Sequence, residues 1–136
     1  YEPQGKFTLN GSEVAREQLA GHSVFKALVD CAYICNNAKL ERVPGGTRVI
    51  GDPTEGCLQT LAARAGVAGT HQRIHLNPFE SVRKRMSVVV LEPQTRKRIA
   101  YAKGAPLEIL SCCSHIMTAG GASRLDDRER DKIRRQ

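Results

Sequence analysis

Apolar positions along this chain change period several times, and the changes mark out its elements. Phe25, Leu28, Val29, Ala32 and Tyr33 fall at helical spacing and predict a helix with one buried face, closed by Asn36-Asn37. Leu58, Leu61, Ala62 and Ala65 repeat that spacing up to Gly66. Asp52 is a natural cap for this second helix, Pro53 suits its first turn, and Glu55 stands three residues after the cap, where a side chain can fold back on it. Elsewhere the pattern is that of strands. Residues 40–43 and 47–50 flank Pro44-Gly45-Gly46 as a hairpin, and residues 73–77 carry Ile74 and Leu76 on one face. Residues 86–91 form a continuous apolar run, as in a central strand covered on both faces. Residues 92–95 turn the chain, and residues 96–102 return as its antiparallel partner.

The ends are less periodic. Residues 1–5 read as turn material, followed by a short strand at residues 6–9 closed by Asn10-Gly11. Ser12 then caps a helical segment that breaks near Gly21. Gly104 to Pro106 opens a helix running through about Cys112, His115-Ile116-Met117 reads as an edge strand, and Asp126 starts a last, charged helix with little apolar face. With no repeat and no linker, the expectation is a single domain over residues 1–136, of α+β class, with an antiparallel β-sheet and flanking helices.

Composition narrows the function. Hydrophobic residues at 40% and charged ones at 26% fit a globular domain with its own core, and no apolar run reaches the ~20 residues that span a bilayer. The expectation is a domain without direct membrane contact. Five cysteines in no zinc or disulfide-framework spacing predict reduced, structural thiols in a compartment such as the cytosol, and no metal site. The net charge of +7 is uneven: residues 1–63 hold 6 basic and 7 acidic side chains, residues 64–136 hold 15 and 7. A basic half raises the alternative of a nucleic-acid-binding module. Against it, Phe79 and Tyr101 are the only aromatic residues after residue 63, so bases would find few stacking partners. The expectation is no nucleic-acid partner.

Three short segments carry candidate chemistry: Gly51-Asp52-Pro53-Thr54-Glu55, then Phe79 through Lys84-Arg85-Met86, then Lys103-Gly104-Ala105-Pro106. They offer a carboxylate, an aromatic ring and two lysines. An adenine nucleotide needs that set, with a ring to stack on, an acceptor for the exocyclic amine, and cations near the phosphates. Each residue also has a plainer use. Glu55 can serve as a helix cap, Phe79 can pack under the loop that follows Pro78, and Lys103 can be a solvated lysine at a strand–helix turn. No Gly-x-x-x-x-Gly-Lys-Ser/Thr, Gly-x-Gly-x-x-Gly, His-Glu-x-x-His or Gly-x-Ser-x-Gly motif occurs, so binding without catalysis is expected.

These segments, in this order, resemble the nucleotide-binding (N) domain of type II cation-transporting P-type ATPases. Cys35-Asn36-Asn37 is similar to the end of a family helix, and Gly51-Asp52-Pro53-Thr54-Glu55-Gly56-Cys57-Leu58 resembles the Gly-Asp-Pro-Thr-Glu-x-Ala-Leu motif. Phe79 to Ser87 resembles Phe-Asp-Ser-x-Arg-Lys-x-Met-Ser, and residues 103–106 match the family's Lys-Gly-Ala-Pro. Two departures stand out: Glu80 replaces the usual Asp or Ser, and Leu107 stands where the family usually has Glu. Residues 1–5 look like a segment of calcium-type members. The resemblance implies that Phe79 stacks on adenine, Glu55 accepts from its amino group, Lys84 and Lys103 line the pocket and Met86 packs against the base. Thr54, Gly104 and Ala105 belong to the same ATP-binding set. It further implies a cytoplasmic domain of an integral membrane pump that brings ATP, with magnesium on its phosphates, to a phosphorylation domain. An actuator domain would be its other partner in the parent chain. The Asp-Lys-Thr-Gly-Thr aspartate of that chemistry does not occur in these residues, so the domain is expected to bind ATP without hydrolysing it.

Overall fold

A computed structural model describes residues 5–67, 69 and 71–136. The first four residues of the expected N-terminal turn, and two positions of the loop after the second long helix, lie outside the described residues. The chain falls into two compact units, Tyr1–His71 and Gln72–Gln136. All strand pairing is antiparallel and mixed with helices, which is the expected α+β class.

In the first unit, β1 (Phe7–Leu9) and β2 (Ser12–Val14) form a hairpin, with Phe7 opposite Val14. Ser12 is therefore in a strand and not at a helix start. The reason is the turn: Asn10 and Gly11 both take positive φ (52° and 81°), the handedness that lets two strands twist against each other. The hairpin is anchored where the Phe7 ring meets Phe25 edge to face at 5.3 Å. Helix α1 (Arg16–Ala20) is one turn and a half, and α2 (Ser23–Ile34) follows. Val29, Ala32 and Ile34 are buried on α2, whereas Leu28, expected on that face, is exposed. Strands β3 (Lys39–Val43) and β4 (Gly46–Ile50) make the expected hairpin around Pro44-Gly45. Helix α3 (Pro53–Arg64) begins as its cap predicts: Asp52 Oδ1 accepts from the amides of Thr54 and Glu55 at 2.9 and 3.1 Å.

In the second unit, β5 (Gln72–Glu80), β6 (Arg85–Leu91) and β7 (Arg98–Gly104) form a three-stranded sheet with β6 at its centre. Central placement agrees with the apolar run. Its coverage does not: Met86, Val88 and Val90 are buried, while Arg85, Ser87, Val89 and Leu91 on the other face are half-buried. Ile74 and Leu76 of β5 are exposed, so their spacing does not mark a core face. Helix α4 (Pro106–Cys112) starts at the expected proline. The expected edge strand is half of a hairpin, β8 (His115–Thr118) with β9 (Gly121–Arg124), and α5 (Asp127–Arg134) is capped by Asp126 Oδ1, which accepts from the Glu129 amide at 2.8 Å. Arg130 of α5 donates to the carbonyls of Leu110 and Cys113, so an otherwise charged helix closes the end of α4. The five cysteines carry free thiols.

Candidate nucleotide site

Two of the three segments are joined directly by backbone. Strand β5 runs through Pro78 and Phe79 to Glu80, further than a proline suggests, but its pairing with β6 slips there. Asn77 faces Ser87 and Glu80 faces Arg85, three steps on one strand against two on the other. Pro78 has no N–H to give to the ladder, which suits a position inside this bulge. Phe79 sits in the bulge and is 60% exposed. Its ring is therefore not a core ring, and the plainer alternative, that it packs under the loop, is not what the fold shows.

Residues 81–84 turn the chain into β6. Lys84 closes the turn with φ of 49°, its amide donating to Glu80 O at 2.7 Å. Its own carbonyl accepts from the Ala105 amide at 2.9 Å, so the end of β7 is bonded to the start of β6. Gly104 pairs with Arg85, and a Cβ at Gly104 would lie 2.2 Å from Lys84 O. The Gly in Lys-Gly-Ala-Pro is thus required by the approach of two backbones, not by its dihedral angles. Met86 faces Lys103 across the ladder, so their side chains share a face. Met86 is only 2% exposed and belongs to the buried row with Val88 and Val90, while Lys103 above it is half-buried. The Lys84 ammonium stands exposed, 3.9 Å from Glu108. Glu108 thus supplies a carboxylate near the position where Leu107 departs from the family pattern; Leu107 itself is exposed.

Thr54 and Glu55 lie in the first unit, on the first turn of α3. Glu55 Oε2 accepts from the Asn37 amide at 3.1 Å. Asn36, 1% exposed, donates through Nδ2 to Ala32 O at 3.0 Å and Glu55 O at 2.9 Å, and its Oδ1 accepts from the Ala38 amide at 2.9 Å. One buried amide thus fastens the end of α2, the start of β3 and the first turn of α3 together, and holds the residue that carries the candidate carboxylate. The family resemblance singled out the Cys-Asn-Asn segment but not this role. A polar residue after a helix looks like an ordinary stop, and only its burial shows otherwise.

Among the described residues, no group of three or more His, Cys, Asp or Glu side chains could hold a metal ion. No helix of the described residues is long and apolar enough to cross a membrane.

An exposed aromatic ring and two lysines on one backbone-bonded frame, in an antiparallel α+β chain, make a surface suited to a flat, phosphorylated ligand. Residues 24–136 match the family model for the P-type ATPase, cytoplasmic domain N, and the chain belongs to that family, as an N domain of the type II group. Among similar proteins is a calcium-transporting ATPase of Bacillus subtilis, 38% identical over 128 residues, covering 90% of this chain and 14% of that protein. A calcium-transporting ATPase type 2C member 1 of Bos taurus is 29% identical over 136 residues, covering 96% and 14%. The cation-transporting ATPase pma1 of a Synechocystis strain is 31% identical over 128 residues, covering 89% and 14%. This chain therefore spans about one seventh of the length of these relatives.

Proposed function

We propose that this chain is the ATP-binding domain of a cation-transporting P-type ATPase, of the calcium type that its relatives' names describe. Its task there is to present ATP to a phosphorylation domain elsewhere in the parent chain. Phe79 stacks on the adenine ring, and Lys84 and Lys103 supply positive charge toward the phosphates. On the first turn of α3, Glu55 is the acceptor for the exocyclic amine and Thr54 stands next to it. Gly104 and Ala105 hold the backbone of β7 close enough to Lys84 for the two lysines to act together. Met86 supports this frame from the buried face it shares with Lys103, the side from which it would meet the base. Magnesium accompanies the nucleotide's phosphates, where it keeps most of its water ligands.

The observation that carries the reading is the exposure of Phe79, 60%, on a frame bonded to both lysine segments. A large apolar ring held out to solvent costs free energy unless something covers it. The expected result of calorimetric titration is binding of ATP and ADP at about 0.1–1 mM, roughly −4 to −5.5 kcal/mol. Phe79→Ala should remove about 1–3 kcal/mol of this, while the melting temperature stays near the parent's. A variant that melts far lower, or that still binds ATP as the parent does, would refute the stacking role. Glu55→Gln should weaken ATP more than GTP, because guanine presents a carbonyl where adenine presents the amine.

A second expectation concerns chemistry. The chain should show no ATP turnover above background at any magnesium concentration, because it lacks a phospho-acceptor aspartate in its motif and a P-loop. A phosphate-release assay on pure protein checks this, and steady turnover lost on changing Glu55 would contradict it.

A further inference from the structure

We infer that Arg83 is a positioning residue that sets the orientation of the Phe79 ring, an inference that rests on the nucleotide-binding reading above. Phe79 lies in the second of two stretches of β5 where the ladder slips, between the Asn77–Ser87 and Glu80–Arg85 pairs, and the residue before it is a proline. Ladder hydrogen bonds therefore do little to define its backbone, and an exposed side chain on such a backbone would sample several rotamers. A stacking platform with that freedom would lose affinity to ordering on binding.

Arg83 supplies the missing restraint. From the turn after β5 its guanidinium reaches back, with Nε donating to Glu80 Oε2 at 2.8 Å and Nη2 donating to Pro78 O at 3.0 Å. It thus grips the residue before Phe79 and the residue after it. A guanidinium makes both bonds at once because its donors are fixed in one plane, which a lysine cannot do. The Arg83 side chain is one-third exposed, partly shielded where it crosses the bulge. An exposed ion pair of this kind adds little global stability, so the effect of the fork is local order. Glu80, which departs from the family's usual Asp or Ser, is the residue whose carboxylate makes this second grip.

The chain has no tryptophan, so Phe79→Trp places a single indole at the site. Time-resolved anisotropy of that indole should show a restrained ring, and Arg83→Ala in the same background should give it fast local motion with little change in melting temperature. In the otherwise unaltered chain, Arg83→Ala should weaken adenosine and ATP by the same factor, about three- to tenfold, and Arg83→Lys should recover only part of the loss. Unchanged indole motion would overturn the inference. So would a loss confined to ATP, which would make Arg83 a direct phosphate contact, or full recovery by lysine, which would reduce its role to charge. The anisotropy needs no nucleotide. A restrained ring in a chain that fails to bind ATP would therefore defeat the nucleotide reading and leave the positioning role of Arg83 standing.

Discussion

Gly104→Ala should unfold the nucleotide frame more readily than any change of comparable size. The added methyl group would meet Lys84 O at 2.2 Å, and that atom is backbone, so no side-chain rotation can make room. Relief requires β7 to draw away from Lys84, and that breaks the Ala105 N–H bond to Lys84 O and the last rung of the ladder, Arg85 with Gly104. The cost should be on the order of 3 kcal/mol, the upper part of the range for overpacking a tight contact. It would appear as a melting temperature lowered by roughly 10 °C. Nucleotide binding should fall with it, because Lys84, in the turn just before β6, and Lys103, on β7, stand on the two segments being separated. Parent-like melting of Gly104→Ala would mean that the approach of the two backbones is looser than described. Parent-like melting with lost ATP binding would point instead to direct contact between ligand and backbone at this position.

The second large effect is expected far from any exposed ligand surface. Asn36→Leu keeps nearly the volume of the side chain and removes its polar atoms. Ala32 O and Glu55 O each lose a donor, and the Ala38 amide loses its acceptor. A buried polar group left unsatisfied costs about 1–3 kcal/mol, so the sum should be on the order of 3 kcal/mol or more after local adjustment. Denaturant unfolding measures it. Asn36→Asp is the informative companion: it keeps an acceptor for Ala38 but turns a buried carboxylate oxygen toward the carbonyls of Ala32 and Glu55, so at neutral pH it should be no more stable than the leucine variant. Equal stability of parent and Asn36→Leu would show that water or relaxed geometry replaces the fastener. Under the proposed function, the leucine variant should also bind ATP less well than its stability alone requires, because the first turn of α3 that holds Glu55 would no longer be tied down.

Both positions belong to segments that stand out in the sequence, but the reason each matters was not legible there. The chemistry that reads well from sequence is local. Asp52 and Pro53 start α3, Pro106 starts α4, Asp126 caps α5, and the Pro44-Gly45 loop joins β3 to β4, because each depends on neighbours within a few residues. The apolar run of β6 likewise announces a central strand, since no edge strand needs so continuous a row. The ordered motifs were sufficient to place the chain in its family.

Where two local tendencies competed, partners distant in sequence made the choice. Ser12 has the chemistry of a helix cap, yet Phe7 packing on Phe25 and the positive φ angles at Asn10 and Gly11 draw residues 12–14 into a strand. Leu28 sits at core spacing on α2, yet burial goes to Val29, Ala32 and Ile34, because the covering surface determines which side of a helix is inside. Glu55 has the position of a capping-box residue, but its carboxylate meets the Asn37 amide, eighteen residues away. Periodicity records what a segment can bury and cap for itself. Which amide reaches which carbonyl, and where two backbones must touch, depends on segments far apart in the chain, and only their packing sets those distances.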